Sequence, residues 1–159
     1  MSKFKLDRFD QKLLKVVQAD TRRTAQELAG EVGLSPSACL RRLKRMRDEG
    51  IIEAEVAIIH PAAIGYQLTI LIEVSLERER PDIISDFKKA IRATPEIMQC
   101  YYVTGEVDFV LVVAMQDMQA YEKFTHSLLF ANKNIRRFNT LVVMDRVKVG
   151  FSLPIESDV

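Results

Sequence analysis

The sequence predicts an α+β protein, an N-terminal helix-turn-helix domain joined by an extended connector to a ferredoxin-like βαββαβ domain. Three observations predict it. Up to Glu49 the apolar residues recur at helical spacing around a turn at Gly33; after Gly50 the spacing switches to the two-residue period of strands; and the second region contains a weak internal repeat. The repeat sets TILIEVSLERERPDIISDFKKAI before PEIMQC against FVLVVAMQDMQAYEKFTHSLL before NIRRFN, offset by roughly 40 residues. The boundaries that follow are 1–52 for the helical domain, 53–66 for the connector and 67–159 for the second domain.

In the first helix Phe9, Leu13, Val16 and Val17 share one face, and the helix is expected to end near Asp20. Thr24-Ala25-Gln26-Glu27 reads as a capping box opening the second helix, which Gly33 closes. Ser35 is an N-cap and Pro36 the first helical residue of the third helix, which stops at Gly50. The segment IIEAEVAIIHPAAIGY then reads as an extended connector ended by Pro61 and Gly65. Leu68, Ile70, Ile72, Val74 and Leu76 alternate with Thr69, Glu73 and Ser75, a strand with one buried face. Pro81 starts a helix facing inward through Ile84, Phe87 and Ile91. Two strands meet around Thr104-Gly105-Glu106, a helix from about Asp117 presents Tyr121, Phe124 and Leu128, and NTLVVMDRV is the expected closing strand. Both helices should cover one sheet face. On the other, apolar Leu71, Val110 and Val112 predict self-association through the sheets.

The net charge of +1 hides an asymmetry: the first 53 residues carry +4 and the rest −3. Cys39 and Cys100 lie in separate apolar periodic segments, so no disulfide framework is expected and a reducing compartment, the cytoplasm, is. No signal peptide is expected at the N-terminus, and the longest uncharged apolar run, Phe109 to Met115, is too short to span a bilayer. His60 and His126 have no Cys or carboxylate at metal-ligand spacing, and no P-loop, nucleophile elbow or dinucleotide-binding glycine pattern occurs. Glu77 and Glu79 alternating with Arg78 and Arg80 read as solubilising charge. No catalytic activity, metal or cofactor is therefore expected.

Five basic residues occupy the seven positions from Arg41 to Arg47. An ordinary solvated helix face also carries such runs, so the surroundings decide. Leu28, Ala29, Val32, Leu34, Cys39 and Leu43 fall at the spacing of a helix-turn-helix seam, with Ala29 allowing close approach and Gly33 making the turn. Burying that seam should leave Ser37, Ala38, Arg41, Arg42, Lys44 and Arg45 facing away, where double-stranded DNA would meet them. Near the start of such a helix Ser37 and Arg41 are the candidates for base edges, with Arg42 a weaker one, and Ser35 and Ala38 belong to the same DNA-binding set; Lys44, Arg45 and Arg47 suit phosphates, as do Arg22 and Arg23 ahead of the capping box.

Taken whole, the chain resembles the leucine-responsive regulatory protein (Lrp/AsnC, feast/famine) family. LDRFDQKLLKVVQADTRRTAQELAGEVGLSPSACLRRLKRMRDEGII is similar to its helix-turn-helix half, HPAAIGY to its linker, VTGEVDFVLVV to its G-x-x-D signature and NTLVVMDRVK to its closing strand. The resemblance implies a transcription regulator that binds an amino-acid effector, dimerises through its connector and sheets, and often assembles into an octamer. It also implies an effector site near the loop joining the two central strands. Gly105 and Asp108 match the signature there; Tyr102, Thr104, Glu106 and Thr140 are weaker positional candidates. Turn amides receive an α-carboxylate, and an Asp holds an α-ammonium. A plainer reading stays open, in which Gly105 only permits the turn and Asp108 only fixes it. Phe109, Leu141 and Val142, taken as near the loop, favour an apolar effector. The sequence departs from the family pattern at Arg23, where relatives usually carry an apolar residue, and at Glu53-Ala54-Glu55, which replaces a common Gly-Tyr. Two other classes remain open: an architectural DNA-organising protein without an effector, and an amino-acid-binding regulatory subunit of a biosynthetic enzyme.

Overall fold

The computed structural model describes residues 5–155. It divides into two compact units, one running through Ala57 and rejoined by the tail from Lys148, the other Ile58–Val147. The tail that the sequence reading assigned to the second domain thus groups with the first unit. Its anchor is reciprocal: the Gln18 side-chain amide donates to the Leu153 carbonyl at 2.9 Å and accepts from the Leu153 N–H at 3.0 Å.

Three helices build the first unit, α1 (Arg8–Val17), α2 (Ala25–Val32) and α3 (Pro36–Asp48). Each starts on a side-chain cap. Thr24 and Glu27 form the expected capping box on α2, and the Ser35 hydroxyl accepts from the Ala38 N–H on α3. A second capping box, not anticipated, pairs Asp7 with Asp10 on α1. α1 stops at Val17, short of Asp20. Gly33 closes α2 at φ +80°, a conformation that costs glycine little and other residues more. The buried core is Leu13, Val17, Leu28, Val32, Cys39, Leu43 and Met46, with Ala29 and Leu34 packed at its edge, so the seam forms from the predicted residues.

The connector carries no regular structure until Pro61–Ile64, a short 3-10 turn ended by Gly65 in the left-handed region. Four antiparallel strands follow, β1 (Leu68–Leu76), β2 (Ile97–Tyr102), β3 (Phe109–Met115) and β4 (Ile135–Val142), in spatial order β2-β3-β1-β4. Helix α4 (Pro81–Arg92) and α5 (Met118–Phe124), which continues into π-helical Thr125–Phe130, supply the cover. Ile70, Ile72, Val74, Phe109, Leu111 and Val113 pack with Phe87 and Ile91 of α4 and Tyr121 and Phe124 of α5 in one core, the βαββαβ arrangement expected. Leu71, Val110 and Val112 alternate to the opposite face and are half-buried.

The last strand was misplaced by the sequence reading. β4 begins at Ile135, not Asn139, and ends at Val142, its register with β1 running from Leu76 to Ile70. The polar stretch Ile135–Phe138 looked unlike a strand because β4 is an edge, where exposed Arg136 and Arg137 are tolerated.

Candidate nucleic-acid interface and effector loop

The exposed side of α3 carries Ser35, Ser37, Arg41, Lys44, Arg45 and Arg47, with Ala38 half-buried among them. Arg22 and Arg23 are exposed just before α2. Most of these cations already hold a carboxylate: Arg22 with Asp20 at 3.0 Å, Arg23 with Glu31 at 2.8 Å, Lys44 with Asp48 at 2.6 Å and Arg47 with Glu55 at 2.7 Å. Two of the departures noted above, Arg23 and Glu55, are thus members of ion pairs. Such exposed pairs contribute little to stability and exchange readily for a phosphate. Arg41 differs; among the described residues it has no carboxylate partner.

Arg42 does not face away from the domain, which corrects the sequence reading. Its guanidinium donates to Asp7 Oδ2 at 2.7 Å and Asp10 Oδ1 at 2.8 Å, and only 22% of its side chain is exposed. It also lies 5.6 Å from the centre of the Phe9 ring. Arg45, one helical turn on and on the same side of α3, donates to both Asp10 oxygens at 3.1 and 3.0 Å. Helical periodicity could not reveal this, because the capping box of α1 brings the two acids in from more than 30 residues away. Burial pushes the Asp7 carboxyl upward, but the Asp10 N–H and the Arg42 guanidinium outweigh it and hold it below its ordinary value. Hydrogen bonds to Asp10 and Asp7 in turn raise Arg42. Cys39 packs in the seam, and burial pushes its thiol upward, away from the reactive thiolate.

In the second unit Thr104, Gly105 and Glu106 form the exposed tip between β2 and β3, with Gly105 at φ +136°. Asp108 is half-buried at the base of the loop. Its carboxylate accepts from the Leu76 N–H at 2.6 Å, its N–H donates to the Val74 carbonyl at 2.9 Å, and its carbonyl accepts from Val103 at 2.9 Å. The acid therefore ties the loop to neighbouring β1 rather than closing a turn on itself. Tyr102 lies on the helix-covered side, its ring 4.9 Å from Phe109 and 4.7 Å from the Lys88 ammonium.

Two expectations about this loop fail. Thr140 is not its neighbour: it lies on β4, across the sheet from β2, paired with Ile72 of β1, and its hydroxyl bonds the Tyr121 hydroxyl. Phe109 is fully buried in the core, while Leu141 and Val142 pair with the opposite end of β1. The apolar lining they were taken to provide is absent. The strand order placed Leu141 and Val142 elsewhere, and a linear sequence does not show that order.

The geometry defines a class, a helix-turn-helix protein whose basic third helix is offered to DNA, carrying a separate α+β domain with a conspicuous interstrand loop. Residues 6–47 match the AsnC-type helix-turn-helix domain and residues 69–153 the Lrp/AsnC ligand binding domain. The chain belongs to the Lrp/AsnC family of transcriptional regulators. It is 54% identical over 151 residues to the uncharacterized HTH-type transcriptional regulator y4tD of Sinorhizobium fredii, covering 95% of this chain and 89% of that protein. It is 34% identical over 152 residues to the leucine-responsive regulatory protein of Escherichia coli K12, covering 96% and 93%. Among solved structures it resembles a transcriptional regulator of Neisseria meningitidis in complex with L-Met, at TM-score 0.88 and 36% identity over 94% of this chain and 97% of that one. The protein is a helix-turn-helix transcriptional regulator with a ligand-binding domain. Among the described residues no helix is long and apolar enough to cross a membrane.

Proposed function

We propose that this chain is a non-enzymatic, cytoplasmic regulator that reads DNA chiefly through Arg41 and answers to an amino acid bound at the loop around Gly105 and Asp108. The observation that carries the reading is the state of Arg41, the exposed cation of α3 that, among the described residues, has no ion pair to break. A guanidinium free to present both N–H groups suits guanine O6 and N7, the strongest single base contact in the major groove. Ser35, Ser37 and Ala38, on the first turn of α3, complete the base-facing set, and Lys44, Arg45, Arg47, Arg22 and Arg23 serve phosphates. For the effector, the exposed Thr104-Gly105-Glu106 amides suit a carboxylate and Asp108 an ammonium, and the Neisseria relative's L-Met complex supports an amino acid. Thr140 has no place in that set within one protomer. The half-buried apolar sheet face of Leu71, Val110 and Val112 suits a homodimer, which the family resemblance extends to an octamer, and the partition 1–52, 53–66 and 67–147, with the tail from Lys148 grouped with the first unit, suits these three tasks.

Arg41→Ala and Lys44→Ala, assayed by fluorescence anisotropy on a duplex selected from a random pool and on a scrambled duplex, test the assignment. Arg41→Ala should lower discrimination by about 1–3 kcal/mol, whereas Lys44→Ala should weaken both duplexes about equally. Equal losses for the two variants would defeat it.

A further inference from the structure

We infer that Asp10 is a positioning residue for DNA reading: it holds Arg42 out of the phosphate contact and, by pinning α3 to α1, sets the direction in which Arg41 is offered. The inference rests on the DNA-reading role proposed for α3 and adds a residue from outside it.

Among the described residues, Asp10 is the one buried charged group, 1% exposed. Its two oxygens accept from Arg42 Nη1 at 2.8 Å, from Arg45 Nη2 at 3.1 and 3.0 Å, and from the Asp7 N–H at 3.2 Å. A carboxylate with two guanidiniums and an amide on it is a local substitute for a phosphate. Exchange with DNA then differs from residue to residue. Lys44 and Arg22 sit in exposed pairs whose rupture costs little, so they move to phosphates freely. Moving Arg42 would break its bonds to Asp7 and to the buried Asp10 together and leave Asp10 held only by Arg45 and the Asp7 N–H, a larger loss than an exposed pair suffers. Arg45, with nearly half its side chain exposed, is shared between Asp10 and the surface.

Arg41 follows from this geometry because it is the helical neighbour of Arg42. Fixing Arg42 against Phe9 and the two acids of α1 fixes the rotation of α3 about its own axis, and with it the azimuth of Arg41. Arg41, Arg42 and Arg45 together line a cleft of about 270 Å³. That cleft is where a phosphate would sit if Arg42 were available, and it supplies the competing outcome.

The test is the slope of log affinity against log salt for the full chain on selected and scrambled duplexes, with Asp10→Asn and Arg42→Gln beside the unaltered protein. Each phosphate contact contributes about 0.9 to that slope. Asp10→Asn removes the buried charge that holds Arg42, so the slope should steepen by about 1, scrambled-duplex affinity at low salt should rise several-fold, and the selected-to-scrambled ratio should fall. Arg42→Gln should leave the slope unchanged. A flattening of about 0.9 in Arg42→Gln, or a folded Asp10→Asn with unaltered slope and ratio, overturns the inference. If Asp10→Asn does not fold by circular dichroism, the Arg42→Gln slope decides alone. No salt-sensitive DNA binding by the unaltered chain would instead overturn the DNA reading itself, a distinguishable failure.

Discussion

The first unit orients its functional helix with charge, and the second orients its loop with apolar packing and backbone hydrogen bonds. In the first, seven of the described residues form the buried core and the carboxylates of Asp7 and Asp10 hold α3 through Arg42 and Arg45. In the second, thirteen residues form the core, and the loop hangs from it by Phe109 beneath and by the Asp108 bonds to β1. A small three-helix unit has little apolar area with which to fix a helix's rotation, so a directional polar network does that work. A sheet sandwiched against two helices has enough area, and its polar groups are left for the loop.

The largest effect expected from this contrast lies in the second unit. Phe109→Ala removes a fully buried ring in contact with Phe87 and Tyr102, and should cost about 3–5 kcal/mol. Thermal unfolding followed by calorimetry should show the loss in one transition while acid sensitivity of the first unit stays as it was. A single transition moved by both perturbations would erase the contrast.

A smaller effect separates the two roles of Asp108. Asp108→Ala leaves the Leu76 N–H without its acceptor and should cost about 1–3 kcal/mol. Asp108→Asn keeps an acceptor oxygen, so most of that stability should return, while the response of DNA binding to amino acids should be lost with the charge. Recovery of both in the Asn variant would leave Asp108 as a structural tie only.

The smallest effect belongs to Asp7. Its folded carboxyl is held below the ordinary 3.8, so its contribution is fully present above that value and is lost as pH falls through the lower folded one. Thermal stability should therefore decline more steeply below about pH 4 in the unaltered chain than in Asp7→Asn, since Asn still caps α1 but carries no charge. Parallel pH profiles would remove Asp7 from the network.

The same contrast decides what the sequence discloses. Caps and seams are local: Thr24 with Glu27, Ser35 before Pro36, Gly33 at the turn, and Leu28, Val32, Cys39 and Leu43 at helical spacing all stood where the sequence put them. The alternation in β1 and the apolar run of β3 likewise gave the sheet, and the repeat gave its topology. Arg42 escaped because its partners come from another helix, and Thr140 because strand order sends β4 to the far edge. Asp10 had a signal that went unused, an acid three residues after Asp7 at a helix start, the spacing of a capping box.

The most direct test of the whole account is the affinity of the unaltered chain for a selected duplex and a scrambled one, with and without a mixture of the common amino acids. The account predicts tighter, salt-sensitive binding to the selected duplex and a shift in that affinity when the mixture is added. Sequence-blind binding that ignores the mixture would contradict it and favour a DNA-organising role.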